Sequence, residues 1–230
     1  CGNMLIMSYV YYLVTGDKSQ LEENYDLLSK WAKFLVGKGV VLDNQLCTDD
    51  FAGHSKKNVN LAIKGIMGIA CFAKISDTLQ IKNDYMATAK AYADNLTALC
   101  GDGDYLPFSL DKADSWSLKY NLVWDELLDL GLFDDDIMDV EIPYYLTKQN
   151  IYGLPLDNRS TYSKSDWIIW TATMADSNEQ FEAFIDPLWK FYNETIDRVP
   201  MSDWFYTDKP EYCMFIARSV VGGYFIKMLP

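Results

Sequence analysis

The 230-residue chain is half hydrophobic and carries 33 acidic against 20 basic side chains, which gives a net charge of −13 at pH 7. Its length suits one large domain or two small ones, because domains typically hold about 100–200 residues. The negative charge argues against nucleic acids and anionic membranes as partners, since both require basic surface patches. The single histidine, His54, excludes a zinc site built on two or three histidines. We therefore expect general acid–base chemistry to fall mainly on carboxylates.

Hydrophobic residues recur at spacings of three and four along the whole chain, which predicts helices throughout. The predicted helices cover, in chain order, residues 4–16, 17–37, 58–76, 81–99, 120–130, 134–148, 165–174, 178–195 and 213–228. Residues 40–42 and 105–108 could form short extended pieces. The chain has no run of 18 apolar residues, so we expect no transmembrane helix. The aspartates at 102, 104 and 134–136 are expected to be solvated turn and capping charges.

The order of the predicted helices is typical of stacked helical hairpins. Odd-numbered helices begin near residues 3, 58, 120, 165 and 213, and each but the last is followed closely by a partner. Odd helices contain glycines such as Gly68 and Gly223, each of which costs about 1 kcal/mol relative to alanine, so we expect close backbone approach there. The partner helices have charged faces. The sequence therefore predicts a single all-α domain over residues 1–230, an α/α toroid with an inner and an outer ring; a plain helical solenoid is the alternative.

Polar, aromatic and acidic residues are concentrated in the long loops, which would gather on one rim of such a toroid. Two loops contain the same tripeptide, Ser-Asp-Trp, at 165–167 and 202–204, and a third contains Asp49 and Asp50. A carboxylate can move protons or accept hydrogen bonds, and a neighbouring ring can stack on a substrate. We take Asp49, Asp50, Asp166 and Asp203 as candidate catalytic residues. The alternative for residues 165–167 is that Ser165 or Asp166 caps a helix.

Several further side chains are candidates for binding a substrate. The rings of Trp167 and Trp204 could stack on a sugar, and Lys64 and Arg218 lie in apolar helices, where a charge should face a polar cavity or an acid. The full set of candidate binding residues is His54, Lys64, Asp157, Arg159, Trp167, Trp204 and Arg218. For His54 a structural hydrogen-bonding role is the alternative. Metal binding at Asp49 and Asp50 is conceivable, but the spacing is not that of a calcium loop, so we expect no metal and no cofactor.

Eight segments together resemble the helical domain of glutaminase A-type proteins. These segments are 1–7, 44–54, 60–69, 119–125, 152–159, 164–167, 197–204 and 217–223. The resemblance implies a six-hairpin glycosidase-like fold, joined to N-terminal β-rich domains of the same polypeptide and incomplete here at its N-terminus. It also implies a secreted or periplasmic protein that hydrolyses glutamine to glutamate and ammonia. The choice of site residues rests on the loops and not on this resemblance.

Three functional hypotheses follow. The first is an amidohydrolase domain that acts on L-glutamine, with a water activated by one of the four aspartates and with Lys64, Arg159 or Arg218 holding the substrate carboxylate. The second is a glycoside-active enzyme that uses two of the same carboxylates. The third is a non-catalytic domain that scaffolds or binds for the rest of a larger protein.

Overall fold

α-Helices account for most of the secondary structure. The computed structural model describes residues 1–47, 49–101, 103, 105–134 and 136–229. The helices are α1 (Gly2–Thr15), α2 (Ser19–Lys38), α3 (Val59–Thr78), α4 (Tyr85–Cys100), α5 (Val123–Leu127), α6 (Asp136–Leu146), α7 (Ser165–Thr173) and α8 (Asn178–Glu194). Three 3-10 helices span Asp50–Ala52, Tyr120–Leu122 and Ser219–Met228. The described part of the chain is therefore mostly helical, as the hydrophobic spacing predicts.

Local signals explain several helix ends. Gly16 and Gly39 follow α1 and α2 with φ angles of 70° and 64°, a left-handed conformation that glycine adopts without a steric cost. The Asn58 side chain accepts a hydrogen bond from the backbone N–H of Leu61 at 2.7 Å and so caps α3. Ser177 caps α8 in the same way through Gln180.

α3 forms the centre of the core. Fourteen of its 20 residues are buried, and it packs against α1, α2 and α4. By length and composition this helix is apolar enough to cross a membrane, since an 18-residue window within it has a mean hydropathy of 1.4. However, 78% of that window is buried inside the protein. An apolar helix surrounded by other helices is what a protein core requires.

The predicted inner helices form a continuous series of neighbours. α1 contacts α3, α3 contacts the 3-10 helix Tyr120–Leu122, that helix contacts α7, and α7 contacts the 3-10 helix Ser219–Met228. A Cβ at Gly68 would lie 2.9 Å from Gly2 Cα, and one at Gly223 would lie 2.9 Å from Trp170 Nε1. The expected close backbone approach is therefore confirmed at Gly68, whereas at Gly223 the close neighbour is the Trp170 side chain. The outer helices α2, α4 and α8 each bury only three residues.

Two antiparallel ribbons lie in the loops. β1 (Gln45–Leu46) pairs with β2 (His54–Ser55), and β3 (Tyr162–Lys164) pairs with β4 (Trp204–Tyr206). The runs 40–42 and 105–108, suggested as extended, are not strands. In the second ribbon Lys164 is opposite Trp204, so the two Ser-Asp-Trp tripeptides become spatial neighbours.

The last predicted helix, 213–228, is wrong in its first part. The backbone N–H groups of Cys213 and Ala217 donate to the carbonyls of Trp204 and Met201, and Ala217 has a φ of 55°. The 3-10 helix begins only at Ser219. Hydrogen bonds to the neighbouring loop therefore replace those of the expected first helical turns. α4 likewise begins at Tyr85 instead of 81, after a turn.

Candidate functional site

A cleft of about 590 Å³ opens between α1, α7 and the 3-10 helices at 50–52, 120–122 and 219–228. Its polar lining comprises Asn3, Asp50, Asn121, Lys164, Asp166, Arg218 and Ser219. Its apolar lining comprises Ile6, Met7, Phe51, Tyr120, Trp124, Trp167, Trp170, Val220 and Gly223. The volume lies in the range of roughly 300–1,000 Å³ that is typical of small-molecule sites.

A buried ion cluster lies at the polar end of the cleft. Lys164 ends β3, and its ammonium group pairs with the carboxylate of Asp203 and lies 3.3 Å from Oδ1 of Asp166. Lys164, Asp166 and Asp203 are 2%, 4% and 0% exposed. Asp203 Oδ1 has no hydrogen-bond partner among the residues that the structure describes. The ribbon β3–β4 and the backbone hydrogen bond from Ser165 N–H to Asp203 O, at 2.9 Å, hold the charges together.

Burial changes the proton affinity of this cluster. It raises the pKa of Asp166, although the nearby Lys164 opposes that shift. Burial also lowers the pKa of Lys164, although the nearby Asp166 opposes it. Because both shifts bring the two groups closer to neutrality, the pair is suited to exchange protons with a ligand.

Three hydroxyl groups hold the C-terminal segment against the site. Ser165 Oγ is 2.5 Å from the Tyr224 hydroxyl, and the Tyr192 hydroxyl is 2.6 Å from the same group. Tyr192 also donates to the backbone carbonyl of Ser202 at 2.7 Å. Burial raises the pKa of both tyrosines, so they stay protonated at neutral pH. The side chain of Ser165 is therefore engaged in tertiary contacts, and the N-cap residue of α7 is Lys164, whose side chain makes no capping hydrogen bond.

Aromatic rings form a wall of the cleft. Tyr120 stacks on Trp167 with centroids 4.3 Å apart, and Trp124 meets Trp170 edge-on at 5.1 Å. The indole N–H of Trp170 donates to the carbonyl of Gly223 at 3.1 Å. Trp167 also lies 5.2 Å from the Lys164 ammonium group and is largely buried. Trp167 thus forms part of the cleft wall, with Tyr120 and Phe51 already stacked on its ring.

The structure gives Trp204 a different environment. It packs against Phe51 and Phe215, with centroids 4.7 Å from each, and its side chain is not part of the cleft lining. Because the ring of Trp204 presents no open surface to the cleft, the structure does not support the expected stacking of a sugar on this ring.

Asp49, Asp157 and Arg159 form a separate ion cluster. Arg159 binds both oxygens of Asp157, at 2.9 and 2.6 Å, and reaches Asp49 at 2.8 Å. Its guanidinium group lies 4.3 Å from the ring of Phe108. Burial raises the pKa of Asp49, and Arg159 opposes that shift. This cluster joins the loop of Asp49 to the loop that holds Asp157 and Arg159, with Phe108 of a third loop against the guanidinium group, and it does not line the cleft. Its contacts are therefore those of a brace between loops next to Asp50.

The remaining predicted site residues lie apart. His54 is exposed on β2. Lys64 lies on α3 and lines a different pocket of about 190 Å³; burial lowers its pKa, and Asp49 and Asp50 are among the groups that oppose the shift. The cleft therefore brings together four of the predicted residues, Asp50, Asp166, Trp167 and Arg218. Asp203 is connected to the cleft through its ion pair with Lys164.

Sequence reasoning missed Lys164 and the two tyrosines. Lys164 directly precedes the first Ser-Asp-Trp tripeptide, and its position two residues before Asp166 was the available signal. No signal in the sequence marks Tyr192 or Tyr224, because their contacts join α8 to the distant C-terminal segment. In the described part of the chain no group of three or more His, Cys, Asp or Glu side chains is arranged to hold a metal ion. Asp102, Asp104 and Asp135 lie outside the described residues.

The fold and the cleft define a helical-hairpin domain with a buried lysine–carboxylate cluster. The chain belongs to the glutaminase A six helical-hairpin domain family, whose family model matches residues 1–228. It is 35% identical over 239 positions to "Glutaminase A" of Aspergillus oryzae, covering 100% of this chain and 34% of that protein. It is 30% identical over 243 positions to a "Probable glutaminase" of Arthroderma benhamiae, covering 89% of this chain and 28% of that protein. The chain thus spans about a third of the length of these curated relatives.

Proposed function

We propose that this chain is the catalytic part of a glutamine amidohydrolase, which converts L-glutamine to L-glutamate and ammonia in the cleft beside Lys164 and Asp166. The observation that carries the proposal is the buried lysine–carboxylate cluster at the end of a ligand-sized cleft. Membership of a glutaminase A domain family supports it.

The residues of the cleft can supply the steps of amide hydrolysis. Asp166 takes a proton from water as the water oxygen attacks the carboxamide carbon, and it then gives that proton to the leaving nitrogen, which departs as ammonia. Lys164 stabilises the negative charge that develops on the carboxamide oxygen. Burial raises the pKa of Asp166 and so favours both its proton-accepting and its proton-donating roles.

Arg218 is the group best placed to bind the substrate carboxylate. Its side chain is 41% exposed at the cleft and lies 3.9 Å from Asp203, a long ion pair that leaves room for a ligand. Arg159, in contrast, is engaged by two carboxylates. A guanidinium–carboxylate pair is directional and can be bidentate, so it would orient the substrate as well as bind it.

A second candidate is a glycoside-active enzyme. Two carboxylates, Asp50 and Asp166, line the same cleft as the rings of Tyr120, Trp124 and Trp170. Paired carboxylates catalyse glycoside hydrolysis, and aromatic rings are suited to sugar faces. Release of sugar from a glycan panel, with no release of ammonia from glutamine, would favour this candidate.

We also propose that other parts of a longer polypeptide complete the ring of hairpins. Met4, Met7, Tyr11 and Val14 follow one another along an exposed face of α1 and are each 45–61% exposed. Contiguous apolar residues of this kind mark contact surfaces, and N-terminal domains of the same polypeptide are the proposed occupants. Secretion, or a periplasmic location, is likewise proposed from the family resemblance.

The test uses the full-length polypeptide and measures ammonia release from L-glutamine. Asp166→Asn and Lys164→Met should each lower kcat by at least about 100-fold, as is typical for loss of a general base or of an oxyanion partner. Asp186→Asn, an exposed carboxylate on α8, is the matched control and should leave kcat unchanged. Unchanged turnover in folded Asp166→Asn would refute its assignment, and a lack of activity in the unaltered full-length protein would favour a scaffold role.

A further inference from the structure

We propose that the cleft binds glutamine as the carboxyl-terminal residue of a short peptide, X-Gln, with the neighbouring side chain X against Trp124 and Trp170. This inference rests on the proposed function and adds the substrate class of the same site. It is carried by the size of the cleft, by the position of its apolar wall and by the position of Arg218.

The cleft is larger than free glutamine needs. One water molecule takes about 30 Å³ of liquid, so glutamine, with its ten covalently linked non-hydrogen atoms, fills less than about 300 Å³. The cleft measures about 590 Å³. About half of it is therefore available to a second chemical group that is joined to glutamine.

The surplus volume lies against apolar side chains. Asp166 and Trp170 are four residues apart on α7, so they share a face of the helix and are separated by about 6 Å along its axis. Trp124 packs edge-on against Trp170, and Met7 and Val220 also line the cleft. When the carboxamide lies at Asp166, the apolar wall is about one helical turn away, where the backbone end of the substrate would lie.

The charges determine which end of glutamine is extended. Arg218 lines the cleft and is a suitable partner for a free α-carboxylate. The neighbouring residue is therefore attached through the α-amino group. The side-chain amides of Asn3 and Asn121 also line the cleft; an amide carries both donors and an acceptor and thus matches the resulting peptide group.

The experiment compares ammonia release from Phe-Gln, Gln-Phe and free glutamine by the full-length polypeptide. The expected kcat/KM for Phe-Gln exceeds that for glutamine by about 10- to 100-fold, the ratio that burial of one Phe side chain supports. Gln-Phe, which lacks the free α-carboxylate on its glutamine, should be slower than Phe-Gln.

Variants of the wall test the same point. Trp124→Ala and Trp170→Ala should reduce the ratio of the two kcat/KM values, Phe-Gln over glutamine, to near 1. This ratio does not depend on the fraction of folded enzyme. Trp189→Ala changes a tryptophan that is 68% exposed on α8 and should leave the ratio unchanged.

The outcomes separate the two proposals. If glutamine is hydrolysed and Phe-Gln is hydrolysed no faster, the peptide inference is overturned and the proposed function stays in place. The peptide inference is likewise overturned, and the proposed function kept, if Asp50→Asn lowers kcat/KM for free glutamine but not for Phe-Gln. That result would mean that Asp50 binds the α-amino group of the substrate as a free ammonium. Absence of ammonia from all three substrates refutes the proposed function itself.

Discussion

Replacement of Lys164 by methionine tests how strongly the buried ion cluster depends on its only lysine. The substitution keeps most of the length of the side chain but removes the ammonium group that pairs with Asp203, which is fully buried, and with Asp166, which is 4% exposed. Loss of one partner of a buried ion pair costs about 3–5 kcal/mol, because the remaining charge is left uncompensated. At about 2–4 °C per kcal/mol for a domain of 150–250 residues, the melting temperature should fall by about 6–20 °C.

The assay is urea and thermal unfolding of Lys164→Met, with Lys190→Met as the matched control. Lys190 forms a solvent-exposed ion pair with Glu194 on α8, and such pairs contribute about 0–1 kcal/mol. The deficit of Lys164→Met should shrink as pH falls, because protonation removes the uncompensated charge of the two carboxylates. A loss no larger than that of the control, or a deficit that is the same at pH 4 and pH 7, would refute this account of the cluster.

Three further predictions concern packing, buried charge and substrate binding. Gly68→Ala should lower the free energy of unfolding by about 1–3 kcal/mol, because the new Cβ would lie 2.9 Å from Gly2 Cα of α1. Gly65→Ala, whose new Cβ would have its nearest neighbouring atom at 4.0 Å, should raise the free energy of unfolding by up to about 1 kcal/mol. Equal effects of the two substitutions in urea melts would contradict this account of the packing. Burial raises the pKa of Glu141 above its unfolded value, so the stability that its proton uptake provides is lost as pH rises through the folded pKa. Glu141→Gln should therefore become more stable relative to the unaltered protein between pH 4 and pH 7, and a pH-independent difference would count against the shift. Arg218→Gln should raise KM for glutamine by about 10- to 100-fold with little change in kcat, as expected for loss of a charged hydrogen bond; a fall in kcat at constant KM would remove Arg218 from substrate binding.

The prediction of the helices succeeded where the hydrophobic period and a local end signal agreed. α1 ends before Gly16 and α3 begins after Asn58, both at positions where a turn or cap residue stands in the sequence. The prediction failed at 213–218, where the spacing suits a helix but the backbone bonds to residues 201–206 instead. Hydrophobic spacing carries no information about a hydrogen-bond partner that is distant in the chain.

The candidate site shows the same division. The repeated Ser-Asp-Trp tripeptide pointed to Asp166 and Asp203, and in the structure the carboxylates of both form ion pairs with Lys164. Three cations were equivalent candidates in the sequence, yet Arg159 is bound by Asp49 and Asp157 whereas Arg218 lines the cleft. Which cation is available to a ligand depends on which carboxylates the loops bring to it.

The sequence by itself determined that the chain is helical, that its inner helices approach closely at glycine, and that its long loops carry the acids. These properties depend on the period of apolar residues and on residue size, which are local. Only the tertiary structure decided that Lys164 joins the two Ser-Asp-Trp loops, that Tyr192 and Tyr224 hold the C-terminal segment in place, and that Asp49 and Asp157 belong to a brace. Charge pairing acts over a few ångströms in space, between residues that in this protein are up to 110 positions apart in the chain.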